Sequence, residues 1–163
     1  MTDTPPPIAR RPEELFDVAA LAEMSGLQYL QGMLAGRYPH PPIAELMAYR
    51  LVAVEEGEVA FRAIPSFVHV NPMGTVHGGW YGTVMDSALG CAVATRVPAG
   101  RWYTTLEYRV NLIRGVPLET EVEAVARCRH AGRTTAVAEA EMRGVADGRL
   151  YATGSTTCLI LDG

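Results

Sequence analysis

The spacing of hydrophobic and polar positions changes character along the chain, and the changes mark its elements. Between residues 79 and 96 the apolar side chains Tyr81, Val84, Met85, Ala88, Leu89 and Ala92 recur at i, i+3, i+4, i+7 and i+8. That spacing predicts an amphipathic helix, stopped by Pro98-Ala99-Gly100. Upstream, Pro12-Glu13-Glu14 ahead of Leu15, Phe16, Val18, Ala19 and Leu21 predicts a first helix. Its proline sits in the first turn and its acids near the positive end. Ser25 opens a second, shorter helix carrying Leu27, Leu30 and Leu34 and ending at Gly36. Pro39-His40-Pro41-Pro42 breaks the chain, and His40 reads as a loop residue. Residues 46–54 and 58–64 then read as two strands of a hairpin around Glu55-Glu56-Gly57.

Beyond the central helix, alternation dominates. Trp102, Thr104, Leu106, Tyr108, Val110 and Leu112 alternate with Tyr103, Thr105, Glu107, Arg109, Asn111 and Ile113. Thr120, Val122, Ala124 and Ala126 alternate with Glu119, Glu121 and Glu123, and the turn His130-Ala131-Gly132 leads into Thr134, Ala136, Ala138, Ala140 and Met142. Asp147-Gly148 predicts a two-residue hairpin turn before a last strand over 150–161. Regular alternation means one covered and one wet face, hence an antiparallel sheet. The alanines on one face would let a helix sit close. The pattern is α+β: one long helix on an antiparallel sheet. Residues 1–11, with Pro5-Pro6-Pro7, read as a disordered or extended arm. Residues 12–163 read as a single domain, with helices over 12–42 and the sheet and central helix over 43–163.

Composition narrows the function classes. The chain has 163 residues, 48% of them hydrophobic, and a formal net charge of −4. That suits one domain with a real core and argues against general nucleic-acid binding. Three cysteines, Cys91, Cys128 and Cys158, are odd in number and lack metal-ligand spacing. They read as reduced thiols in a cytoplasmic protein that needs no metal. No apolar run is long enough to span a membrane, and the N-terminus lacks the pattern of a secretory signal.

The candidate chemistry sits at the central helix. Asp86 lies off the apolar stripe, with Gly82 and Gly90 one turn away on either side and Thr83 three residues before it. Interior glycines cost a helix about 0.5–1 kcal/mol each, so close approach of another backbone or of a ligand is expected there. At the helix start, Gly78-Gly79 offers free backbone N–H groups beside the positive end of the dipole. Such an end can hold a developing oxyanion. Asp86 is about 10 Å further along the same helix, too far for one carbonyl to touch both. Two antiparallel helices would solve this, so the motif predicts a symmetric dimer with two shared sites.

Asn71, Gly74, His77-Gly78-Gly79 and Asp86, followed by Thr105-Leu106-Glu107, Val110-Asn111, Gly132-Arg133 and Asp147-Gly148-Arg149, resemble one family. It is the hotdog-fold acyl-CoA thioesterases of the PaaI-like, phenylacetic-acid-degradation type. The resemblance covers residues 25 to the end and leaves the N-terminal helix outside. It implies a curved antiparallel sheet wrapped round one long helix, with an extra N-terminal helical segment here. It implies Asp86 as general base or nucleophile, and the Gly79 N–H polarising the carbonyl from the other subunit. Asn71 and His77 would orient water, carbonyl or leaving sulfur. Thr105, with Thr104 as fallback, would assist from the following strand, and Gly78 would contact substrate. Coenzyme A, part of the substrate rather than a cofactor, brings phosphates that Arg127, Arg129, His130 and Arg133 could hold. Similar proteins are dimers or dimers of dimers. Trp80, directly after the glycines, is bulkier than the pattern expects.

Several of these residues also have plain structural readings. Asn71-Pro72 is a good turn, His77 can shape a loop, threonine is common in strands, and arginines at a turn are often solvated. Three functions compete: thioester hydrolysis, acyl-CoA binding or sensing without turnover, and, ranked last, a hotdog hydratase. The acyl group itself stays open.

Overall fold

The computed structural model describes residues 6–15 and 22–162. Its elements are α1 (Gly26–Leu34), α2 (Pro42–Leu46), β1 (Tyr49–Glu55), β2 (Glu58–Ala63), α3 (Gly78–Ala94), β3 (Arg101–Leu112), β4 (Val122–Ala131), β5 (Thr135–Gly144) and β6 (Leu150–Asp162). The six strands form one sheet in the order β1-β2-β4-β5-β6-β3, and every neighbouring pair is antiparallel. Helix α3 packs on one face and touches β2 through β6. This is the helix-on-sheet architecture that the resemblance implies.

The small residues make that contact close. Ala124, Ala126, Ala136 and Ala138 are fully buried. At Gly154 of β6 an added Cβ would lie 2.9 Å from Met85 Cε on α3. The six stripe residues of α3 are buried as expected, but Trp80, Gly82, Gly90, Val93 and Ala94 are buried too. The buried surface of α3 is wider than the stripe alone, while the less buried Thr83, Asp86, Ser87 and Cys91 share one face, where the tyrosines of β3 approach. Trp80 belongs to this core. Its Nε1–H donates to the Met47 carbonyl at 2.9 Å, and its ring meets Tyr81 edge-on.

Other boundaries move for local reasons. Ser25 caps α1 in a full capping box with Gln28, as its position suggests. Residues 42–46 form the one-turn helix α2, started by proline, so the first strand begins at Tyr49 rather than at 46. Asp147-Gly148 is not a two-residue turn. The β5–β6 connection runs over residues 145–149, with the Gly148 N–H donating to the Gly144 carbonyl and the Asp147 carboxylate accepting from the Arg149 N–H. Pro12–Glu14 is a single 3₁₀ turn. Residues 16–21 of the predicted first helix, and 1–5 of the arm, lie outside the described residues. Residues 7–9 run along His40: the His40 N–H donates to the Pro7 carbonyl at 2.7 Å, and the Ala9 N–H to the His40 carbonyl at 2.9 Å. No helix among the described residues is long and apolar enough to cross a membrane.

Candidate active site

Strand β3 decides what faces Asp86. The register against β6 slips between Thr105 and Glu107, so Leu106 is an extra residue in a β-bulge. The uninterrupted alternation read from the sequence is therefore corrected. Before the bulge, Tyr103 and Thr105 face α3; after it, Tyr108 and Leu112 do. The Thr105 hydroxyl donates to Asp86 Oδ1 at 3.3 Å. Burial raises the Asp86 carboxyl above the ordinary aspartate range, and the Thr105 hydrogen bond works against that rise. The fallback, Thr104, is exposed on the opposite side of the strand from Thr105.

The small face beside Asp86 has occupants within the chain. An added Cβ at Gly82 would lie 3.1 Å from the Tyr108 hydroxyl, and one at Gly90 2.9 Å from the Tyr103 hydroxyl. Within the chain, the close neighbours of the two glycines are tyrosine rings of β3.

Asp86 and Thr105 line a cavity of about 550 Å³ between α1, α3 and the start of β3. Its wall is mostly apolar and includes Tyr29, Leu30, Met33, Ile43 and Phe61. Ser87 donates to the Tyr49 hydroxyl at 2.9 Å within it. Burial pushes the Cys91 thiol, five residues beyond Asp86 on α3, up to about 12, so it stays protonated and unreactive. Sequence reasoning did not find this wall. Tyr29, His40 and Tyr49 come from segments with no local signature of a pocket.

The turn before α3 is built by its own side chains. Asn71 Oδ1 accepts from the Met73 and Thr75 N–H groups at 2.9 and 3.2 Å, and its Nδ2 donates to the Thr75 hydroxyl at 2.9 Å. His77 caps α3, its Nδ1 accepting from the Gly79 N–H at 2.9 Å. The Gly79 N–H is thus not free in the lone chain, a correction to the sequence reading. Gly78 and Gly79 are exposed, as is the His77 ring. Gly78, at the first helical position, has no intrahelical acceptor for its N–H.

Asp86 and Thr105 are therefore brought together, and Asn71, His77, Gly78 and Gly79 form a second group about two turns away along α3. The basic residues join neither group. Arg129 pairs with Glu139 at 2.8 Å and borders a polar groove with Arg127 and Asn111. Arg133 is exposed near the β4–β5 turn, with no ion-pair partner among the described residues. No three His, Cys, Asp or Glu side chains converge as metal ligands among the described residues.

The thioesterase superfamily matches residues 73–151, which hold the end of the Asn71 turn, all of α3 and the strands up to the start of β6. A conserved protein of Pseudomonas aeruginosa is 34% identical and superimposes with a TM-score of 0.68, over 74% of this chain and 94% of its own. The chain belongs to the thioesterase superfamily. Within the superfamily it is of the PaaI-like type. A protein from Ralstonia eutropha JMP134, described as a thioesterase related to phenylacetic acid degradation, is 26% identical. It has a TM-score of 0.73 over 80% of this chain and 98% of that one. A Caenorhabditis elegans protein named as an esterase is 28% identical over 110 residues, 68% of this chain. This thioesterase-superfamily chain spans 64% of that relative, less than two thirds of its length.

Proposed function

We propose that this chain hydrolyses an acyl-CoA thioester to a free acid and coenzyme A, as a homodimer or dimer of dimers with sites shared between subunits. The observation that carries the reading is Asp86: a carboxyl raised by burial, held by one hydroxyl, on the wall of an apolar cavity. A poorly solvated carboxylate is basic, and the cavity supplies a dry place for an acyl group. Asp86 either takes a proton from the water that attacks the thioester carbonyl or attacks that carbon itself. In both routes the carbonyl oxygen becomes an oxyanion, the C–S bond breaks on collapse, and the coenzyme A thiolate leaves and is protonated. Direct attack leaves a mixed anhydride between the acyl group and Asp86, which water then hydrolyses to the free acid and the aspartate. Trapping that anhydride with hydroxylamine in a single turnover separates the two routes, and ¹⁸O from water found in the aspartate would identify direct attack with hydrolysis at the Asp86 carbonyl.

The oxyanion is met by the partner subunit's Gly79 and Gly78 N–H groups, with the exposed His77 ring turning aside to release the first. Asn71 acts by holding the turn. Support for a second subunit comes from β3, a sheet-edge strand with one unpaired side and exposed Trp102, Leu106, Tyr108 and Leu112. Such edges are templates for pairing. Arg133, exposed and without an ion pair among the described residues, is a cation for a coenzyme A phosphate.

The test is thiol release from a panel of acyl-CoAs by the full chain and by Asp86→Asn. Loss of turnover in a folded variant supports the assignment, whereas equal turnover rejects Asp86. Tight binding without thiol release would instead identify an acyl-CoA-binding protein. Sharing of sites is tested by mixing Asp86→Asn chains with Gly79→Pro chains, each inactive alone. Proline at the second helical position removes the N–H within the tolerant first turn. If the groups meet across subunits, random hybrids recover about a quarter of wild-type activity, because half are mixed and each has one intact site. If they meet within one chain, nothing is recovered.

A further inference from the structure

One buried polar group has no account in the scheme above. His40 is 1% exposed, and its Nδ1 has no hydrogen-bond partner. Residues 7–9 hold the backbone of His40 through both its N–H and its carbonyl, and Ile8 bridges to it, so the residue is fixed in place beneath that segment. The ring lines the same cavity as Asp86 and Thr105, in a wall shared with Met33, Pro41 and Ile43. Burial lowers its pKa, so near pH 7 the imidazole is neutral and offers one donor and one acceptor. An unmade hydrogen bond on a buried group is costly, and an apolar side chain would pack there without that cost. A polar atom arriving in the cavity accounts for the residue. The family match begins at residue 73, so the feature lies outside it.

We propose that His40 reads the far end of the acyl group, and that the cavity takes acyl chains ending in an uncharged hydroxyl that hydrogen-bonds to its imidazole. This rests on the thioesterase reading above. A charged terminus fits poorly. The wall is mostly apolar, the imidazole is neutral, and Arg101, the cation on the rim, is engaged by Asp162 at 2.8 Å. Burying a carboxylate without a partner there would be strongly unfavourable. A hydroxyl can donate to the imidazole acceptor or accept from its N–H, whichever tautomer is present.

The experiment measures kcat/KM of the full chain on matched acyl-CoA pairs that differ only in a terminal hydroxyl, on straight-chain and aryl frameworks. The wild-type protein should favour the hydroxylated member of at least one pair by roughly tenfold, the scale of one buried neutral hydrogen bond. His40→Phe should abolish or invert that preference, while His40→Gln should retain part of it. A carboxyl-terminated analogue should be the poorest substrate. Equal rates within every wild-type pair would overturn the proposal, as expected if only a resident water meets His40. Retention of the full preference in His40→Phe would overturn it as well. The wild-type comparison decides even if the variants fail to fold. If no thioester is cleaved, the thioesterase reading fails separately. Calorimetric affinities for the same pairs then read the cavity, and equal affinities overturn the role of His40.

Discussion

Thr105→Val isolates the interaction that sets the state of Asp86. The variant keeps the shape of the side chain and removes only the hydroxyl that donates to Asp86 Oδ1 at 3.3 Å. A hydrogen bond to a charged group is worth about 1.5–3 kcal/mol, and 3.3 Å is long for one. The lower end applies, and about 1.4 kcal/mol is a tenfold change in an equilibrium. That bond favours the ionised carboxylate against burial, which favours the protonated form. Without it the ratio of ionised to protonated Asp86 should fall roughly tenfold at any pH on the acid limb. The assay is kcat/KM for thiol release across pH. On the acid limb Thr105→Val should run about tenfold below the wild type, and the two profiles should converge where both carboxylates are fully ionised. Thr105→Ser, which restores a donor, should move back toward the wild type. Superimposable acid limbs would refute the claim that Thr105 holds the charge on Asp86. A uniform drop at every pH would refute it too, pointing instead to a contact with substrate.

Asp86→Asn should lower kcat by about 10²–10⁴, the usual worth of a positioned base, in the thiol-release assay. It should also raise stability. Burial lifts the folded-state pKa of Asp86, so above the ordinary aspartate range the folded chain holds a proton that the unfolded chain has released. Wild-type stability therefore falls as pH rises through that window, and the asparagine variant escapes the loss. Its melting temperature should exceed the wild type's at neutral pH, with the difference vanishing in acid. Gly154→Ala would set a Cβ 2.9 Å from Met85 Cε and 3.0 Å from the Arg109 carbonyl of the paired strand. The methionine end can yield and the carbonyl cannot, so denaturant melts should show a loss of about 1–3 kcal/mol. Trp80→Phe removes the donor to the Met47 carbonyl and should cost about 1–3 kcal/mol. Its kcat/KM should be near that of the wild type, because the ring faces the core.

The long helix was legible because its stripe of Tyr81, Val84, Met85, Ala88, Leu89 and Ala92 spans several turns, and the strands because their alternation is long. The bulge at Leu106 was not. Residues 102–113 alternate without a break, and only pairing with β6 shows that one residue is surplus. Gly82 and Gly90 announced a close neighbour but not its identity, since a ring from β3 and a backbone from another helix leave the same trace. Asn71 and His77 stood out as a motif, yet the bonds they make within the turn appear only in three dimensions. His40, set among prolines, looked like a solvated loop; its burial depends on residues 7–9, more than thirty positions away.

These misses share a cause that bears on the chemistry. Asp86 owes its surroundings to one irregular strand. Without the extra residue at 106, the strand could not send both Thr105 and Tyr108 toward α3, because an odd separation places two residues on opposite faces. With it, Tyr103 and Thr105 serve the cavity, while Tyr108 closes the slot at Gly82. The carboxylate is left between two glycines filled by tyrosine rings, with one hydroxyl as its donor. A regular strand would either expose Asp86 to water and return it to an ordinary surface acid, or replace Thr105 by a residue unable to donate. The bulge converts a helix carboxylate into a poorly solvated base, and its removal should abolish that character even with Asp86, His77 and both glycines in place.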